Sequence, residues 1–216
     1  LNKNFEKCDR SEGLNSHYKN IINFVGPLIF IQVGLTLLNN MDVIMVKRLF
    51  DADSAGIYAG VVTVGKILLF GAGSVSTLMF PVVAEAFSSG EDYKKSLKKF
   101  LPIQVLLVIA GVACFALFPR FITVLMFGER FLPAVQYVPM FTAFIGAYIL
   151  VNFFILYFMA IEKFEVTYIL GVGAILQVVL IWKFATSLDA VVLINAIVTS
   201  VVLLFLVTYY KMIKST

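Results

Sequence analysis

The sequence predicts an all-α integral membrane protein, a six-helix transmembrane bundle, on three observations. Of its 216 residues, 61% are hydrophobic and only 14% charged, with a mean hydropathy of +0.96. Soluble domains are about 45–50% apolar and roughly 25% charged. Six apolar runs approach or exceed the length of about 20 residues that crosses a bilayer as a helix. Those runs lack the two-residue alternation of barrel strands and are about twice too long for them.

In chain order the expected spans are 21–50, 55–80, 100–118, 135–161, 164–184 and 190–210. Residues 1–20 form a polar segment before them and 211–216 a short tail. Only "AEAFSSGEDYKKSLKK" and "PRFITVLMFGERFLPA" are polar connections of any length, and nothing reads as a soluble domain. Eleven basic residues fall on one side: Lys3, Lys7, Arg10, Lys19, Lys94, Lys95, Lys98, Lys99, Lys163, Lys211 and Lys214. Five fall on the other: Lys47, Arg48, Arg120, Arg130 and Lys183. The positive-inside rule then places both termini in the cytoplasm, and the even number of spans agrees with that. "EDYKKSLKKFL" sets Tyr93, Leu97 and Leu101 on one helical face and lysines on the other. It reads as a cytoplasmic interfacial helix on anionic lipid.

Composition also excludes several functions. The pI near 9.0 reflects lysines flanking spans, so no nucleic acid partner is expected. His17 has no cysteine or carboxylate cluster beside it, so no metal or other cofactor is expected. Cys8 and Cys114 lie in different environments and are not expected to meet. Leu1 stands where an initiator methionine would, which suggests a piece of a longer protein. No catalytic constellation is visible, and the chain reads as a non-enzyme.

Several short motifs have structural explanations. "GIYAG" has the GxxxG spacing of close helix packing, with Gly71 and Gly73 as a further packing or hinge point. "GVG" at 171–173 does not follow a soluble strand, and "VGKIL" lacks the rest of a phosphate loop. "DADS" offers an Asp-x-Asp pair, but in a tight turn Asp53 or Ser54 would cap the following helix.

Asp42 and Lys66 are harder to explain, because an ionised side chain at a span centre costs about 3 kcal/mol on insertion. In an antiparallel hairpin through 51–54, residue i lies level with residue 104 − i. Lys66 is then level with Leu38, about 6 Å from Asp42 along the axis, within a lysine's reach. Three assignments stay open: a structural ion pair, a substrate- or ion-handling pair on a water-filled cavity, or Asp42 at the outer interface. Gln32, Thr36 and Asn39/Asn40 recur at helical spacing as a stripe that resembles a cavity wall. Later spans carry Gln104, Asn152, Gln177 and Asn195, of which Asn152, Gln177 and Asn195 read individually as interhelical hydrogen-bonding residues.

The stretch from "YKNIINFVGPL" to "FPVVAEA" resembles polysaccharide-type flippases of the MOP (MATE-like) exporter superfamily. The similar features are Pro27, Asp42 with Val46 and Lys47, Ala55 to Tyr58, Pro81 with Glu85, and the turn "VLMFGERFLPA". The resemblance runs over about 18–210 and matches the family's carboxy-terminal half. "IEKFE" departs from it by lacking a glycine often found at that turn. The resemblance implies one lobe of a two-lobe transporter in the cytoplasmic membrane, completed by an amino-terminal lobe. Its substrate would be a lipid-linked oligosaccharide of the undecaprenyl-diphosphate type, flipped by alternating access. Lys66 would attract the diphosphate, Asn39, Asn40 and Gln32 would line the cavity, and Asp42 would bind a coupling cation or proton. A multidrug exporter or lipid II flippase of the same fold is the nearest alternative. A membrane-embedded polymerase or ligase would need larger outward loops, and a scaffold for biosynthetic enzymes would use only the lysine helix.

Overall fold

The computed structural model describes the backbone of residues 10–215 and the side chains of 25–213. Expectations resting on Lys3, Lys7 and Cys8, and on the side chains of Arg10, His17, Lys19 and Lys214, lie outside the described residues.

The elements are α1 (Arg10–Leu49), α2 (Ala52–Ser88), α3 (Tyr93–Leu117), α4 (Pro119–Phe127), a 3₁₀ helix (Glu129–Ala134), α5 (Val138–Ala160), α6 (Val166–Phe184) and α7 (Leu188–Ser215). All but α4 and the 3₁₀ helix are long and apolar enough to cross a membrane, six among the described residues. The expected polar segment is, from Arg10 onward, the first part of α1. The connection "PRFITVLMFGERFLPA" is largely helical: α4 opens on Pro119, whose fixed φ suits a first helical turn, and it buries Thr123 while exposing Phe121 and Leu125. The lysine segment is not a separate interfacial helix. It forms the first turns of α3, with Leu97 buried and Lys95, Lys98 and Lys99 exposed.

Local chemistry explains the ends of these helices. The α2 cap is Asp51, rather than Asp53 or Ser54: its Oδ2 accepts from the Asp53 and Ser54 N–H groups at 3.1 and 3.0 Å. The Ser54 hydroxyl also donates to Oδ1 at 2.8 Å. These bonds, the Ser54 N–H foremost, hold the Asp51 carboxyl below its ordinary value of 3.8. At the other end of α2, Gly90 takes φ 72° while Glu91 N–H donates to the Ala86 carbonyl and Gly90 N–H to that of Phe87. This is a left-handed helix stop suited to glycine. α5 ends the same way, with bonds from Lys163 to Phe158 and Glu162 to Met159. There the left-handed position, φ 57°, belongs to Glu162, where "IEKFE" lacks glycine.

α5 is the most enclosed span and packs against α2, α3 and α7, while α6 fills the space between α1 and α7. Its aromatic side chains Phe141, Phe144, Phe153, Phe154 and Phe158 are all buried. Phe141 lies over Gly65 of α2, where a Cβ would sit 2.5 Å from the ring. α1 and α2 pack on different neighbours, α6 and α5, and touch each other little. Their outward face stays open.

Candidate functional site

Asp42 is fully buried in a polar cluster joining α1, α2, α6 and α7. Its Oδ2 accepts from Tyr58 Oη at 2.5 Å and from Asn195 Nδ2 at 2.9 Å. Asn195 Nδ2 also lies 3.2 Å from Tyr58 Oη. Gln177 Nε2 donates to Asn195 Oδ1 at 2.7 Å and to the Leu38 carbonyl at 3.2 Å. Oδ1 of Asp42 accepts from the Val43 N–H at 2.8 Å. Donors thus compensate a carboxylate that hydrocarbon alone would not tolerate.

Asp42 and Lys66 form no direct ion pair. Lys66 Nζ donates to Asn40 Oδ1 at 3.2 Å and acts on Asp42 only through space. Level-matching predicted the height well, since Lys66 does sit beside this part of α1. It carried no information about the face. Asn40 and Asp42 are two residues apart, hence about 200° around the helix, so Lys66 meets the open face while Asp42 points into the bundle.

The same rotation divides the predicted stripe. Gln32 and Thr36 are exposed and Asn40 half-buried on the open face. Asn40 Nδ2 donates to the Thr36 carbonyl at 3.0 Å, and the Thr36 hydroxyl donates to that of Gln32 at 2.8 Å. Asn39, three residues before Asp42, shares the Asp42 side instead. Its Oδ1 is buried without a partner, as are Gln177 Oε1 and Thr199 Oγ1. Thr199 follows Asn195 by one turn of α7. Asn39 of α1 and Gln177 of α6 thus carry unpaired amide oxygens, and Thr199 of α7 an unpaired hydroxyl, on three of the helices that meet at Asp42. Among the described residues no cluster of three or more His, Cys, Asp or Glu side chains exists, so Asp51 and Asp53 have no further carboxylate, histidine or cysteine to complete a metal site.

Sequence reasoning missed Tyr58 and the union of Gln177 with Asn195. The second was legible: both residues lie nine positions from Thr186, midway between α6 and α7, so hairpin level-matching pairs them. Tyr58 has a weaker signal, a tyrosine hydroxyl on the buried face of α2. Gln104 ties α3 to α2: its Nε2 donates to the Ala72 carbonyl at 2.9 Å and its Oε1 accepts from Ser76 Oγ at 3.0 Å. Asn152 is half-buried on α5.

No curated protein matches the sequence. A family of polysaccharide biosynthesis proteins matches over residues 10–136, more than half of the chain. That range contains α1 to α4, with Asp42, Tyr58, Lys66 and the open polar face. The chain belongs to this polysaccharide biosynthesis protein family, the flippase-like group of the MOP superfamily.

Proposed function

We propose that these six spans form one lobe of a transporter that flips a lipid-linked oligosaccharide across the cytoplasmic membrane, with both termini in the cytoplasm. A second lobe faces the open side of α1 and α2, and the pair alternates access around a cavity between them. The observation that carries this proposal is the placement of Lys66, Asn40, Thr36 and Gln32 together on the one face that α1 and α2 leave uncovered. A half-buried cation there suits an anionic headgroup such as a polyprenyl diphosphate. Asp42 supplies coupling from inside the lobe by taking up a proton or a cation, which changes the charge at the junction of four helices. Membrane lipid surrounds the remaining faces, and the lysines at the start of α3 meet anionic headgroups.

Full-length protein in proteoliposomes containing a polyprenyl-diphosphate oligosaccharide tests the proposal. Wild type should move the substrate between leaflets, and Lys66→Met should abolish movement while the melting temperature stays unchanged. Movement that is indifferent to Lys66, or to the substrate's diphosphate, would defeat it.

A further inference from the structure

The two glycines of "GIYAG" have different surroundings. A Cβ on Gly60 would stand 2.9 Å from Cδ1 and Cε1 of Phe131, so the bare backbone there admits the ring. A Cβ on Gly56 would meet nothing within 4 Å. Glycine weakens a helix interior relative to alanine, and at Gly56 no packing contact offsets that loss. Gly56 instead forms a wall of a cavity of about 320 Å³, together with Ala52, Asp53, Ile57, Arg130 and Phe131. That volume falls at the lower end of small-molecule sites.

From this cavity we infer a docking site for a sugar residue of the transported oligosaccharide, an inference that rests on the function proposed above. Asp53 and Arg130 are exposed, and no ion pair joins them. A carboxylate accepts hydrogen bonds from adjacent sugar hydroxyls, and a guanidinium donates to hydroxyl and ring oxygens. Phe131 and Ile57 offer apolar surface to the C–H face of a pyranose. Gly56 lets that ring approach the helix without a side chain in the way.

The location fits one extended substrate. Ala52, Gly56, Ala59 and Thr63 are exposed along a single face of α2, and that face reaches the Lys66 side. Gly56 and Lys66 are ten residues apart, about 15 Å along the axis. A diphosphate at Lys66 and sugars at the Gly56 cavity would therefore lie at successive heights along α2. The site lies at the α1–α2 turn, the end of the lobe assigned to the outer side of the membrane.

The test uses full-length protein and two probes, a polyprenyl diphosphate without sugar and the same carrier bearing an oligosaccharide. Gly56→Leu fills the cavity and should weaken the oligosaccharide carrier about tenfold or more, the scale of a lost charged hydrogen bond. The Kd of the bare carrier and the melting temperature should not move. Asp53→Asn and Arg130→Gln, both at exposed positions, should shift the same ratio in the same direction, and they decide the matter if Gly56→Leu does not fold. Equal weakening of both probes, or no change in either, overturns the cavity assignment while leaving the flippase proposal intact. If wild type binds neither probe, the flippase proposal and the inference built on it fall together.

Discussion

Tyr58 Oη and Asp42 Oδ2 lie 2.5 Å apart across α1 and α2, and both residues are fully buried. Removing the hydroxyl leaves the fully buried carboxylate short of a donor. Tyr58→Phe should therefore destabilise the full-length protein by about 1–2 kcal/mol, between the averages for membrane hydrogen bonds and for charged ones. Chemical or thermal unfolding in detergent measures this, and an unchanged midpoint would show that the bond contributes nothing.

Asn195 touches both members of that pair, so its substitution should be coupled to Asp42. In a double-mutant cycle, Asp42→Asn with Asn195→Leu should deviate from additivity by more than about 0.5 kcal/mol. Asp42→Asn with Lys66→Met should deviate less than that first cycle, because the two side chains share no hydrogen-bond partner and interact only through space. The same unfolding measurement reads both cycles. Strong coupling between Asp42 and Lys66 would instead mean that they meet directly.

The two left-handed helix stops give a sharper comparison. Gly90 adopts its positive φ without a Cβ, whereas Glu162 does so at φ 57°, at a cost of about 1–2 kcal/mol for a non-glycine residue. Glu162 is exposed, so Glu162→Gly should raise stability, by up to about 1 kcal/mol after the added chain entropy is subtracted. Gly90→Ala should lower it. Paired melting curves of these variants test the two signs together.

The α2 cap gives a pH dependence of definite sign. The folded-state Asp51 carboxyl is held below its ordinary value of 3.8, chiefly by the Ser54 N–H. The cap therefore stabilises fully above that value, and its contribution is lost as pH falls through the lowered folded-state value. Asp51→Ala should melt below wild type at neutral pH, with the gap closing in acid. A gap independent of pH would show that charge has no part in the cap.

Topology can be read by labelling. With Cys8 and Cys114 replaced, a cysteine at Ser89 should resist an impermeant thiol reagent in intact cells, and one at Ser187 should react. The opposite pattern would invert the lobe.

Much of this molecule was legible in its sequence, because membrane insertion is decided by properties that are local in the chain. Hydrocarbon thickness sets the length of an apolar run, and unsatisfied backbone groups force each run into a helix, so six spans and their hairpin order follow from composition and spacing alone. Heights along a hairpin follow too: Lys66 lies beside the Asn40 region, as counting from the turn predicts. Rotation does not follow. Which face of α1 meets α6 depends on how Leu170 packs over Gly34 and how α5 fills the space behind α2, and those contacts join residues far apart in the chain, 136 positions for Leu170 and Gly34 and 76 for Phe141 and Gly65. Tertiary packing alone therefore turned Asp42 toward Tyr58 and Asn195 and left Lys66 with Asn40 on the open face. A single residue step moves a side chain about 100° around a helix, so small differences in packing angle choose between burial and exposure.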